Sequence, residues 1–155
     1  YEDADAAIDA WGEHSTAIWT PSAEAFYVPA TDSVHLPTFE SYVSTDGYYG
    51  TVFHEYTHWT GHSDRLNRNL GSIGDDRTLR AQEELVAELG ASVLAAEFGI
   101  ETQMRDDHRD YLANWLAALR NDPQHLWTAA SKASKAATYL LELAAVAETD
   151  MLLAS

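Results

Sequence analysis

The chain reads as an α+β domain in which a small N-terminal sheet precedes a run of helices. Three observations predict this. Short aromatic and β-branched runs, bounded by Pro, Asp and Ser, occupy residues before 40. Helical periodicity takes over from about residue 45. Gly61, Gly99 and Asp122-Pro123 then cut the remainder into helix-sized pieces. With 155 residues, 46% of them hydrophobic and 22% charged, one domain can bury a core and disorder is not expected.

The elements follow in order. Glu2 to Trp11 suits a short helix. Thr16–Trp19 and Ala25–Val28 read as strands, and Val34–Leu36 follows across the turn Ala30-Thr31-Asp32-Ser33. Pro29 and Pro37 suit the ends of edge strands, so Phe26 to Leu36 is expected to be an edge hairpin. Asp46, or Thr45 before it, can cap a helix running to about Gly61. A polar connector, His62 to Arg77, leads to a second long helix over about Thr78–Phe98. A third is expected over about Asp107–Asn121. Asp122 and Pro123 open a fourth, Ala-rich helix to about Glu148. Trp59, Trp115 and Trp127 fall on helices and are expected in the core.

The charge excludes several partners. Formal net charge is -16, and Lys132 and Lys135 are the only lysines. Such a surface repels phosphate backbones and anionic lipid, so neither nucleic acid nor membrane is an expected partner of this domain. No apolar run is long enough to span a bilayer and the N-terminus lacks signal-peptide features, which reads as cytoplasmic. The start at Tyr1 suggests a piece of a longer protein. With no Cys, a metal site must use His, Asp or Glu.

Such a site is present in pattern. His54-Glu55-Tyr56-Thr57-His58 is an H-E-x-x-H pentapeptide on the first long helix. Imidazoles four residues apart lie ~40° apart around the axis and ~6 Å apart along it, close enough to share one zinc ion. Glu55 stands where it can hold a water and take its proton, which points to metal-assisted hydrolysis. Gly47, Gly50, Thr51 and Gly61 share the histidine side of the wheel. A catalytic zinc needs a third protein ligand. His62 would lie ~12 Å from His54 along a continuous helix, and only a chain break at Gly61 brings it nearer. The second helix offers Glu84 and, ~40° away, Glu88, on a small-residue face with Ala91 and Ala95. Glu84 is the expected ligand, with Glu88 orienting a ligand histidine through its other ring nitrogen. Glu83, Gly90 and Glu97 form a separate wedge that the wheel assigns to solvent.

Several of these motifs, in this order, resemble a known family. Phe26-Tyr27-Val28-Pro29-Ala30-Thr31-Asp32-Ser33-Val34-His35-Leu36-Pro37, Tyr48-Tyr49, His54-Glu55-x-x-His58-Trp59-Thr60-Gly61-His62, Ser63-x-Arg65-Leu66 and Glu83-Glu84-Leu85-Val86-Ala87-Glu88-Leu89-Gly90 are similar to the zincin-like metallopeptidase domain of ArdC-type antirestriction proteins. Such domains also occur in polyvalent proteins of plasmids and phages. Trp127-Thr128-Ala129-Ala130-Ser131 and Ala136-Ala137-x-Tyr139-Leu140 match its last helix. The resemblance implies a gluzincin-type fold with an active-site helix, a glutamate helix and a strand rimming the cleft. It also implies mobile elements evading host restriction, and an N-terminal single-stranded DNA-binding domain ahead of this one. Lys132 stands where many relatives are expected to carry His.

The expected activity is that of a zinc peptidase: His54, His58 and Glu84 hold Zn2+, although manganese or cobalt suits the same residues, and Glu55 is the base. Tyr48, Tyr49, Arg65 and Lys132 are the pool for an oxyanion stabiliser. His35, Tyr49 and Lys132 are candidates for the substrate rim, and His108 and His125 have no expected role. The alternative is a non-catalytic antirestriction module in which the metal is structural and the acidic surface mimics DNA to a host restriction-related protein.

Overall fold

The computed structural model describes residues 1–22, 24–101 and 122–154, together with 113, 116, 117 and 120. Helix α1 (Glu2–His14) carries Glu2, Asp3 and Asp5 in its first turn, where negative charge suits the positive end of the helix dipole. Ala4, Ala7, Ile8 and Trp11 recur at helical spacing and are buried. The Trp11 indole N–H donates to the Leu140 carbonyl at 2.9 Å, satisfying a buried donor and pinning α1 to the last helix.

Strands β1 (Thr16–Thr20), β2 (Phe26–Val28) and β3 (Ser33–Pro37) form one sheet in the order β1-β3-β2. β3 runs parallel to β1 and antiparallel to β2. The expected hairpin is there, but only its first strand is an edge. β3 lies at the centre, with Val34 and Leu36 fully buried. Pro37 therefore closes a central strand, opposite Thr20. It sits in the last pair, where a missing N–H interrupts little, and Thr38 N–H reaches Thr20 O at 3.0 Å instead.

Helix α2 (Thr45–Trp59) is buried nearly all round, packed between the sheet and the other helices. Its cap is Ser44, one residue earlier than Thr45. Ser44 has extended backbone, and its hydroxyl accepts the Gly47 N–H at 3.1 Å, which leaves Asp46 as a first-turn acid. Helix α3 (Arg77–Glu97) is capped by Asp76, whose Oδ1 accepts from Thr78 and Leu79, both at 2.9 Å. It ends where Gly99 takes φ +66, and the Ile100 N–H closes onto Ala95 O at 2.8 Å.

Helix α4 (Gln124–Ala154) starts at the expected Asp122 cap and runs past Glu148. Ala129, Ala133, Ala136, Ala137 and Leu140 are its buried stripe. Trp127, expected in the core, is 70% exposed. It stands ~200° round the helix from Ala129 and so points away from the stripe. Trp59 is buried as expected. The helix expected over Asp107–Asn121, with His108 and Trp115, lies outside the described residues but for 113, 116, 117 and 120. Among the described residues no helix is long and apolar enough to cross a membrane.

Candidate metal centre

Helices α2 and α3 cross with His54 and His58 on one side and Glu84 on the other. The Nε2 atoms of His54 and His58 are 3.2 Å apart. Glu84 Oε2 lies 3.4 Å from the first and 3.7 Å from the second. A tetrahedral ion with bonds of about 2.0–2.1 Å sets its donors about 3.3 Å apart, so these three atoms form one face of such a polyhedron. No other residue joins this cluster among the described residues. Two imidazoles and one carboxylate at this spacing suit a divalent ion.

The far sides of both rings are also held. Glu88 Oε1 is 3.2 Å from His54 Nδ1, and Glu83 Oε1 is 3.0 Å from His58 Nδ1. Each imidazole thus has its Nδ1 on a carboxylate and its Nε2 turned to the shared centre, which fixes tautomer and ring angle. Glu88 stands where the wheel put it. Glu83 does not: it is buried on the α2 side, against the expectation of solvent. Its partner is Arg68, whose Nε donates to Oε2 at 2.9 Å and Nη2 to Oε1 at 2.8 Å. The same guanidinium donates to Thr60 Oγ1 at 2.8 Å and to the Thr57 carbonyl at 2.6 Å. A Cβ at Gly61 would lie 2.8 Å from it. That glycine therefore makes room for Arg68.

Gly90 explains how the helices approach so closely. A Cβ there would come within 2.6 Å of Thr57 Cγ2. Gly90 is seven residues from Glu83 and shares its face. The glycine was the legible signal that this wedge packs against another helix. Glu97, the third member of the wedge, is exposed.

Charges at the site offset one another. Burial pushes the His54 pKa down, but the Glu84 and Glu88 carboxylates outweigh it and hold it at about 9. His58 is likewise opposed by burial and raised to about 10 by Glu83 and Glu84. Burial opposes ionisation of Glu84 and Glu83, yet the histidines, and for Glu83 also Arg68, keep both below the usual carboxylate range. Glu55 differs. Burial raises its pKa, and the positive charges of His54 and His58 and the backbone N–H of Tyr27 offset only part of that.

The remaining expected residues fall elsewhere. His62 hydrogen-bonds the Asp64 N–H through Nδ1 at 3.2 Å and is not in the donor cluster. Tyr49, a candidate for the rim, is buried instead, because its hydroxyl donates to Asp5 of α1 at 2.7 Å. Tyr48 is in the same aromatic core. His35 stacks on Phe26 with centroids 4.4 Å apart and bonds Ser33 Oγ at 3.0 Å, both within the hairpin. Arg65 lies 3.9 Å over the Trp59 ring, donates to the Trp59 carbonyl at 2.7 Å and pairs with Asp32. It is thus committed to holding the hairpin turn against the end of α2. Lys132 lines a cavity with Arg68, Glu83 and His125 rather than the three-donor cluster.

Known proteins resemble this chain in sequence and fold. A sequence profile of the zincin-like metallopeptidase family matches residues 2–132. A DNA primase TraC of Escherichia coli is 40% identical over 134 residues, covering 84% of this chain and 11% of that protein. The uncharacterized protein y4eC of Sinorhizobium fredii is 37% identical over 119 residues, 76% of this chain and 38% of its own length. The chain thus spans only a fraction of the curated relatives it matches. Two crystal structures of the antirestriction protein ArdC from plasmid R388 superpose on it. The metal-free form has a TM-score of 0.77 at 38% identity, covering 92% of this chain and 50% of ArdC. The Mn(II)-bound form has a TM-score of 0.80 at 39% identity, covering 94% and 53%. The sequence profile, the α+β fold and the ArdC likeness agree: this chain belongs to the zincin-like metallopeptidase family.

Proposed function

We propose that this domain is a zinc-dependent hydrolase acting on peptide bonds, within a longer antirestriction-type protein carrying an N-terminal single-stranded DNA-binding domain. One observation carries the catalytic reading: three donor atoms at coordination spacing beside a buried carboxylate of raised pKa. His54, His58 and Glu84 would hold the ion. When bound, a divalent metal supplies Lewis acidity to a carbonyl and acidifies water. Glu55 takes the proton of the attacking water and delivers it to the leaving amine, and its burial brings its pKa toward the working range of a general base. Glu88 and Glu83 position the two imidazoles and touch no reacting atom. The outward edge of β2 is the expected place for an extended substrate.

The deciding experiment compares wild type with Glu55→Gln and Glu84→Ala for metal content and for cleavage of a peptide library. Glu55→Gln should keep its metal and lose turnover, and Glu84→Ala should lose both. Full turnover by Glu55→Gln would overturn the base assignment. Metal in neither wild type nor variant, after zinc is offered, would overturn the hydrolase reading.

The net charge of -16 supports a second reading. In that reading the acidic surface occupies the DNA-binding face of a restriction-related protein and the metal only braces the fold. Inhibition of a restriction enzyme that survives Glu55→Gln and weakens on surface charge reversal would select it.

A further inference from the structure

The loop after α2, together with α3 and α4, surrounds a cavity of about 200 Å³ whose wall includes Glu83, the residue on His58 Nδ1, and Arg68, which grips it. A cavity of about 150 Å³ is enough for a benzene ring, so this one accepts a group of side-chain size. Ile73, Leu79, Val86 and Ala129 give it apolar walls.

Its charges are unlike those of the rest of the chain. Arg68 is engaged by Glu83, Thr60 and the Thr57 carbonyl. Glu83 is matched in turn by Arg68 and His58. His125 has Gln82 against Nδ1, with Asp122 3.8 Å from Nε2. Lys132 remains. It is half-buried on the wall, and no carboxylate pairs with it among the described residues. Lys132 thus offers this apolar pocket a half-buried cation, the kind of convergent polar group that fixes a ligand in such a site.

We propose that this cavity binds a carboxylate carried on a short apolar stem, anchored by Lys132. The stem can belong to an acidic side chain of a polypeptide or to a free dicarboxylate. A single negative charge balances Lys132. The apolar walls favour a carbon stem, which inorganic phosphate lacks. The walls contain none of His54, His58 or Glu84, so the proposal stands apart from the hydrolase reading.

Glutarate titrated into the whole chain, followed by amide chemical shifts, tests it. Shifts should concentrate at residues 79–86 and 128–132, with a dissociation constant on the order of 1 mM. Lys132→Met should weaken binding at least tenfold, Lys132→Arg should retain it, and Glu84→Ala should leave it unchanged. Equal binding by Lys132→Met would overturn the proposal. So would loss in Glu84→Ala, which would place the carboxylate on the metal instead. Inorganic phosphate competing as well as glutarate would overturn the carboxylate assignment. Acetyl-Ala-Glu-Ala-amide shifting the same signals and displacing glutarate would identify a polypeptide side chain as the source. Glutarate binding without the peptide would identify a free dicarboxylate. Either uphold the pocket.

Discussion

Glu83 Oε1 lies 3.0 Å from His58 Nδ1, and the same carboxylate is gripped by the buried guanidinium of Arg68. This chain of contacts connects the loop after α2 to an imidazole of the three-donor cluster through two buried charges. Removing one partner leaves the others uncompensated, which typically costs about 3–5 kcal/mol. Glu83→Ala should therefore destabilise the domain by about that amount in urea unfolding. It should also weaken metal binding by about 10–100-fold by freeing the His58 ring. Glu83→Gln, which keeps the shape and one acceptor, should cost less on both counts. Metal affinity unchanged in Glu83→Ala would show that His58 is oriented by packing alone.

Gly90 sets the distance between α2 and α3. An added methyl would meet Thr57 Cγ2 at 2.6 Å and Oγ1 at 2.8 Å, on helical backbone that cannot turn aside. Gly90→Ala should cost about 1–3 kcal/mol by overpacking, although alanine is the better helix former. Thr57→Ala removes the atoms that clash. The double variant Thr57→Ala/Gly90→Ala should thus recover part of the loss, giving a favourable coupling energy in a double-mutant cycle. Strict additivity would mean the helices separate freely and Gly90 is not the spacer.

The imidazoles predict proton release. Their pKa values are raised to about 9 for His54 and about 10 for His58, and the 3.2 Å contact between Nε2 atoms needs a proton on one and a lone pair on the other. The pair therefore holds at least one proton at neutral pH, whereas a metal needs both lone pairs. Binding should release at least one proton at pH 7, and affinity should rise about tenfold or more per pH unit from about 6 to 8. Calorimetry in buffers of different ionisation enthalpy measures this, and a pH-independent affinity would contradict it. Stability of the metal-stripped protein follows the same groups. The histidine contribution, from pKa values raised in the fold, is full below about 6.5 and fades as pH rises through about 9 to 10. The Glu83 and Glu84 contribution, from lowered values, is full above about 4.5 and is lost in acid. Thermal melts of chelated protein should thus peak between about 4.5 and 6.5.

What was legible in the sequence was what depends on spacing within one helix. Four-residue steps place His54 beside His58 and Glu84 beside Glu88, and the structure does bring all four together. What was not legible depends on which surfaces meet. Glu83 and Glu97 share a wedge of the wheel, yet only Glu83 is covered, because α2 crosses near it and not about two turns beyond Gly90. Strand order is non-local in the same way. Nothing in Ser33–Pro37 itself says that β1 returns to pair with it, so Pro37 read as an edge residue although it ends the centre of the sheet. Arg68, in a polar connector without periodicity, gave no sign of its burial. Only Gly61, opposite its guanidinium, hinted that something must pack there.

Arg65 ties the β2–β3 turn to the end of α2. It pairs with Asp32, which accepts from Tyr27 Oη–H at 2.7 Å, and it stacks on Trp59. Asp32 sits at φ +49, a conformation that a non-glycine residue holds only with support, and its carboxyl is kept below the usual range, against the pull of burial, by Arg65 and Tyr27. Tyr27 also turns its backbone N–H toward Glu55. Arg65→Ala should loosen the hairpin and cost about 2 kcal/mol, as expected for lost charge-assisted hydrogen bonds and a cation–π contact. With the Tyr27 amide displaced, Glu55 should lose a group that favours its ionised form, and its pKa should rise. The acidic limb of any pH–activity profile should then move to higher pH while metal content stays at the wild-type level. Arg65→Lys, which keeps the charge but not the two-pronged grip on Asp32, should lie between the two. A profile that does not move, in a variant destabilised as expected, would confine Arg65 to holding the fold.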